Sequence, residues 1–150
     1  MIALGTLMRH VHELMDGAIA DLYAEHGLPD YRPRYSPVVR TLVAKGPLSI
    51  RDLAREIGVT HSAASQTVVQ MRRSGFAALE KGADARHRIV HLTERARAAL
   101  PLIEAERAAT ERAVRELDAE LPVPLEQLMT ATLRALERRD FRARIGDVNP

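Results

Sequence analysis

Residues 46–76 read GPLSIRDLAREIGVTHSAASQTVVQMRRSGF, two short helical signatures separated by the three residues Gly58, Val59 and Thr60. In the first, Ser49 precedes Asp52 by three positions, a short-armed capping box whose acid also meets the positive end of the helix. Ile50, Leu53, Ala54 and Ile57 then share one face. Gly58 stops this helix, Val59 is expected to plug into the core, and Thr60 is placed to cap a second helix. That helix buries Ala64, Thr67, Val68 and Met71 and ends at Gly75. Helices joined by so short a link must turn sharply against each other.

Downstream, residues 76–93 read FAALEKGADARHRIVHLT and contain two strand-like runs, 76–80 and 87–92, around a Gly-Ala-Asp turn. A helix, a tight turn, a second helix and a two-stranded ribbon make a winged helix-turn-helix. In that arrangement the second helix enters the major groove of duplex DNA and the ribbon reaches the neighbouring backbone or minor groove. On this reading the solvent face of the second helix carries His61, Ser62, Ser65, Gln66, Val69, Gln70 and Arg73. Gln66 suits the N6 and N7 edge of adenine, the serines suit bases or phosphates, and Val69 suits a thymine methyl. On the ribbon, Lys81, Arg86 and Arg88 are the cations placed to meet phosphate, with Asp84 orienting Arg86. Arg51, Arg55 and Arg72 are weaker phosphate candidates, since helix surfaces commonly carry Arg without any partner.

Working outward, apolar residues from Leu4 to Leu22 recur at three-and-four spacing and predict an amphipathic first helix. Pro29, Pro33 and Pro37 stiffen a linker, after which residues 38–46 predict a short helix. A long helix follows from Thr93 to about residue 120, which Pro101 is expected to kink or split. Pro122 and Pro124 frame a joint before a last amphipathic helix from Leu125, and residues 145–150 form a frayed tail. The fold class is therefore mainly α (α+β). It comprises one domain over 1–150, a winged core over 37–93, and flanking helices over 1–28 and 94–145 whose apolar stripes need a partner.

Composition agrees with this and excludes other classes. The chain has 150 residues, 46% of them hydrophobic, but only three Tyr, two Phe and no Trp, so an aromatic platform for single-stranded nucleic acid is disfavoured. With no Cys there is no disulfide, thiolate metal site or thiol-based sensor. The net charge of +2 is unevenly spread: between residues 32 and 97 there are 13 Lys and Arg against five Asp and Glu. The start of the chain lacks a basic leader with an unbroken apolar run, and no stretch is apolar enough to span a bilayer. An untargeted, cytoplasmic protein with no membrane association is expected, and the initial Met and finished terminal helices point to an untruncated chain.

Over residues 37–93 the sequence resembles the MarR family of bacterial transcriptional regulators, through the helix-turn-helix above and GADARHRIVHLT at residues 82–93. In that family the ribbon motif begins Asp-Arg-Arg and ends Leu-Thr. Here Asp84 holds the first place, Ala85 replaces the first arginine, Arg86 keeps the second, and Leu92 and Thr93 close the motif. The resemblance implies a homodimer joined through the terminal helices, binding a near-palindromic operator on double-stranded DNA as a repressor. It also implies release by a small aromatic or phenolic effector, for which His10, Leu14, Tyr31, Arg34, Tyr35 and Arg40 are the candidate lining residues.

Enzyme chemistry has little support: there is no P-loop or GxGxxG, no histidine pair at metal-ligand spacing, and no nucleophile-base-acid set. No cofactor or metal is expected. The competing class is a winged helix used as a protein-interaction or dimerisation module, distinguished by whether the face of Ser62, Gln66 and Arg73 meets a protein or duplex DNA.

Overall fold

The computed structural model describes residues 3–83 and 87–148. Its elements run α1 (Leu4–Glu25), α2 (Tyr35–Lys45), β1 (Leu48–Ser49), α3 (Ile50–Ile57), α4 (His61–Arg73), β2 (Ala77–Lys81), β3 (Arg88–Leu92), α5 (Glu94–Ala119), α6 (Leu125–Arg138) and α7 (Phe141–Ile145). The three strands form an antiparallel sheet in the order β1-β3-β2. The chain divides into two compact units, Met1–Arg107 and Ala108–Pro150, and α5 contributes to both. Among the described residues no helix is long and apolar enough to cross a membrane.

Local chemistry sets the helix boundaries. The Ser49 hydroxyl accepts the Asp52 amide at 3.0 Å and donates to the Asp52 carboxylate at 2.9 Å. This closes the box side chain to side chain, whereas a longer Glu reaches back to the cap's own amide. Thr60 caps α4 by accepting the Ala63 amide at 3.1 Å. Pro37 lies inside α2, not before it, because two turns of backbone bonding, Tyr35 to Arg32 and Ser36 to Pro33, start the helix early. A proline in the first turn gives up an amide that had no helical acceptor.

β1 is an addition to the expected topology: two residues, Leu48 and Ser49, pair with Val90 and Ile89. α5 is not split at Pro101. That residue is exposed, so the carbonyl of Arg97, which loses its helical donor, faces water.

The turn between α3 and α4 corrects one expectation. Val59 is 43% exposed and does not plug the core. Gly58 is left-handed at φ 80°, and the amides of both Gly58 and Val59 bond to the Ala54 carbonyl at 3.0 Å, which closes the helix end through backbone alone. The core here is instead supplied by Leu53, Ala54, Ala64 and Val68. A Cβ at Gly58 meets nothing within 4 Å, so the cost of Gly58→Ala is purely conformational. About 1–2 kcal/mol of stability should be lost in chemical unfolding, with Gly58→Asn costing less. Equal stability of the Ala variant would show that the left-handed turn is not maintained.

In the first unit the core joins α1, the linker, α2, the winged elements and the start of α5 through Tyr23, Tyr31, Tyr35, Val39, Leu53, Val68, Met71, Phe76, Val90 and Ile103. All three tyrosines are here. The Tyr31 ring lies 4.3 Å from Tyr23, 5.4 Å from Tyr35 and 5.1 Å from Phe76, the last two edge-on. Their hydroxyls are satisfied: Tyr23 donates to Glu106, itself only 7% exposed, at 3.0 Å, and Tyr31 is 3.1 Å from the Ser36 hydroxyl. Burial pushes the Tyr31 phenol up to about 12 and raises Tyr23 as well, so both hydroxyls stay protonated as donors.

Candidate nucleic-acid interface

α4 is seated by Ala64, Val68 and Met71, which are buried and fix which face turns outward. That outward face exposes His61, Ser62, Gln66, Val69 and Arg73, while Ser65 and Gln70 are half-buried at its edges. Among the described residues, the side chains of Ser62, Gln66 and Arg73 take no part in a hydrogen bond or ion pair within the chain. Polar groups left in this state keep their full hydrogen-bonding capacity for a partner. Arg55, by contrast, is drawn to Asp52 at 2.5 Å.

The ribbon places Lys81 directly across from Arg88, both exposed, at its outer end. The Gly82 amide donates to the His87 carbonyl at 2.7 Å, and a Cβ on Gly82 would lie 2.8 Å from that oxygen, so only glycine fits. His91 is turned to Glu80 at 3.1 Å on the ribbon. Arg86, with Asp84 and Ala85, lies outside the described residues.

The far end of α4 is held by groups that sequence spacing does not reveal. Arg95, in the first turn of α5, binds both oxygens of Asp30 at 3.0 Å, donates to the Ser74 carbonyl and stands 4.3 Å over the Phe76 ring. The guanidinium holds the Asp30 carboxyl below the usual carboxylate range. Thr93 donates to the Gly75 carbonyl at 2.6 Å and accepts the Ala96 amide at 3.2 Å, tying the end of α4 to the cap of α5. Tyr35 reaches Ser74 at 3.4 Å. Asp30 and Arg95 are separated by a long stretch of chain, and the only cue to them is a charge in a proline-rich linker.

The six residues considered for an effector fall into two groups. His10 and Leu14 on α1, and Arg34 and Arg40 around α2, are exposed. Tyr31 and Tyr35 are core residues occupied by Ser36, Ser74 and one another, with the Arg34 guanidinium 6.0 Å from the Tyr35 ring. Among the described residues no group of three or more His, Cys, Asp or Glu is placed to hold a metal.

No protein-family model and no curated protein matches the chain. Solved structures do. The M. tuberculosis transcriptional regulator MOSR, solved in complex with DNA, is 22% identical with a TM-score of 0.67, covering 91% of this chain and 98% of that one. PcaV from Streptomyces coelicolor, a transcriptional regulator solved with its natural ligand, is 18% identical with a TM-score of 0.59 over 93% and 97%. Apo wild-type MarR from E. coli is 17% identical with a TM-score of 0.55 over 91% and 98%. The chain therefore has the winged helix-turn-helix fold of the MarR transcriptional regulators.

Proposed function

We propose that the chain is a MarR-family regulator that binds duplex DNA sequence-specifically as a homodimer and represses transcription, in the cytoplasm and without catalysis. The observation that carries this is the outward face of α4: Ser62, Gln66 and Arg73 are uncommitted and stand on a rigidly seated helix beside a basic ribbon. Gln66 reads a base edge, His61, Ser62, Ser65, Gln70 and Arg73 set register on bases and phosphates, and Lys81, Arg86 and Arg88 hold the backbone.

Dimerisation through 1–28 and 94–145 is supported by apolar surface that each unit leaves uncovered. α1 exposes Leu4 (69%), Leu7, Met8, Val11 and Leu14, and α6 exposes Leu128, Met129 and Leu133 (63%). A two-fold pair of α4 helices matches a near-palindromic operator whose half-sites lie about one helical turn apart. Release follows when a small aromatic or phenolic effector favours a dimer with the wrong spacing. His10, Leu14, Arg34 and Arg40 are the exposed residues at which to look for it, while Tyr31 and Tyr35 are buried in the core.

The test is fluorescence anisotropy on duplexes tiled across the DNA upstream of the protein's own coding region, at several salt concentrations and against a scrambled duplex. One site should be preferred by about 10³-fold or more, with affinity falling steeply as salt rises. Uniformly weak binding to every duplex would overturn the proposal and leave a protein partner for the face of Ser62, Gln66 and Arg73.

A further inference from the structure

The ion pair at the trailing end of α4 is better suited to placing that end than to stabilising the fold. Arg95 and Asp30 are 65 residues apart in sequence and meet through two bonds of 3.0 Å, yet their side chains are 41% and 46% exposed. A pair this wet adds little to folding, because water competes for both charges. What the two parallel bonds add is direction: they fix the orientation of a planar guanidinium that a single bond would leave free to swing. The group so oriented donates to the Ser74 carbonyl and stands over the buried Phe76 ring.

Both partners are anchored by their neighbours. Asp30 precedes the fully buried Tyr31, and Arg32 donates back to the Pro29 carbonyl at 2.8 Å, which braces the linker on either side of the carboxylate. Arg95 precedes the fully buried Ala96, whose amide donates to the Thr93 hydroxyl at 3.2 Å. The two ends of α4 are therefore held differently. The leading end is capped within its own turn, by Thr60 on the Ala63 amide. The trailing end takes its position from the linker, through Asp30 and Arg95, and from the start of α5.

α4 has 13 residues and is about 20 Å long, so a shift of about 1 Å at Ser74 moves Arg73 by nearly as much and His61 hardly at all. Recognition geometry tolerates displacements of only about 0.5 Å. We propose that Asp30 and Arg95 are positioning residues for sequence discrimination: their fork sets where Gln70 and Arg73, on the last turn of α4, stand against the DNA. This role rests on the DNA-binding function proposed above and deepens it. It predicts that breaking the fork relaxes only the part of the site that the last turn reads.

The experiment compares the full chain with Asp30→Asn, Arg95→Lys, Gln70→Ala and Arg73→Ala. Glu56→Gln serves as control, since it breaks another half-exposed ion pair, with Lys45, that links α2 to α3. Each protein is melted, and its anisotropy is measured on the preferred duplex and on duplexes substituted at one base pair at a time. Asp30→Asn and Arg95→Lys should melt within about 4 °C of the native chain. Both should nevertheless lose about fivefold or more of discrimination, at the base pairs that Gln70→Ala or Arg73→Ala relaxes. Lys keeps the charge without the fork, so its loss separates direction from attraction. Glu56→Gln should keep the native profile. Unchanged profiles in Asp30→Asn and Arg95→Lys, a loss spread evenly over the site, or one that Glu56→Gln shares overturns the positioning role and leaves DNA binding standing. A native chain that prefers no duplex removes the DNA-binding function and this role with it.

Discussion

Phe76→Ala should remove about 3–5 kcal/mol of folding stability. Phe76 is fully buried where α4 ends and β2 begins, with its amide bonded to the Met71 carbonyl at 2.8 Å. Its ring meets Tyr31 edge-on at 5.1 Å, lies 6.0 Å from Tyr35 and is covered by Arg95. Truncation deletes a large apolar group, opens a cavity that the rigid tyrosines cannot fill, and removes the cation-π contact. For a chain of this size the loss corresponds to a fall in Tm of roughly 6–20 °C. Val43→Ala, at an exposed site on α2, should stay within about 0.5 kcal/mol. A Phe76 variant that melts like Val43→Ala would mean that the aromatic cluster does not hold the winged elements to the linker.

The second large effect concerns recognition. Gln66→Ala should cost about 1–3 kcal/mol on the preferred duplex, roughly 5- to 150-fold in Kd, with a smaller loss on scrambled DNA, so that discrimination narrows. Arg86→Ala and Arg88→Ala should weaken binding on all duplexes alike and reduce the salt slope by about one each. Gln66 is exposed on a helix seated by Val68 and Met71, so its removal leaves the fold unchanged. Anisotropy on both duplexes separates the two behaviours. Equal, negligible losses at Gln66 and both arginines would remove base reading from α4 and backbone contact from the ribbon.

What could be read from the sequence was decided within one helical turn. Ser49 and Thr60 bond to amides three residues on, so their roles follow from adjacency alone. The buried stripe of α4 and the pairing of the two longer strands follow from period and turn chemistry in the same way. The outward face of α4 is the complement of that stripe, which is why His61, Ser62, Gln66, Val69 and Arg73 were identifiable as a surface.

Elsewhere a local pattern competes with distant contacts. Val59 is apolar and lies between two helices, yet the left-handed Gly58 closes the turn through backbone bonds and leaves its side chain in water. β1 is too short to alternate and exists because β3 offers an open edge. Tyr31 and Tyr35 lie in a proline-rich linker and at the start of α2, and nothing nearby says that Tyr23 and Phe76 will enclose them. Arg51, His61 and Arg88 come from separate elements to line one cleft, an assembly made only by the turn and the sheet.

Arg95 grips Asp30, the Ser74 carbonyl and the Phe76 ring with a single planar group. Three contacts made by one rigid fork share their geometry, so their energies do not add. The linker, the trailing end of α4 and the root of the ribbon are thereby soldered at one joint, and a substitution at Asp30 is felt at Ser74 through the Arg95 guanidinium that both bind. The trailing end of the helix whose outward face carries Gln66 is thus anchored from a proline-rich strap far away in the sequence, so the linker has leverage over a surface to which it contributes no side chain.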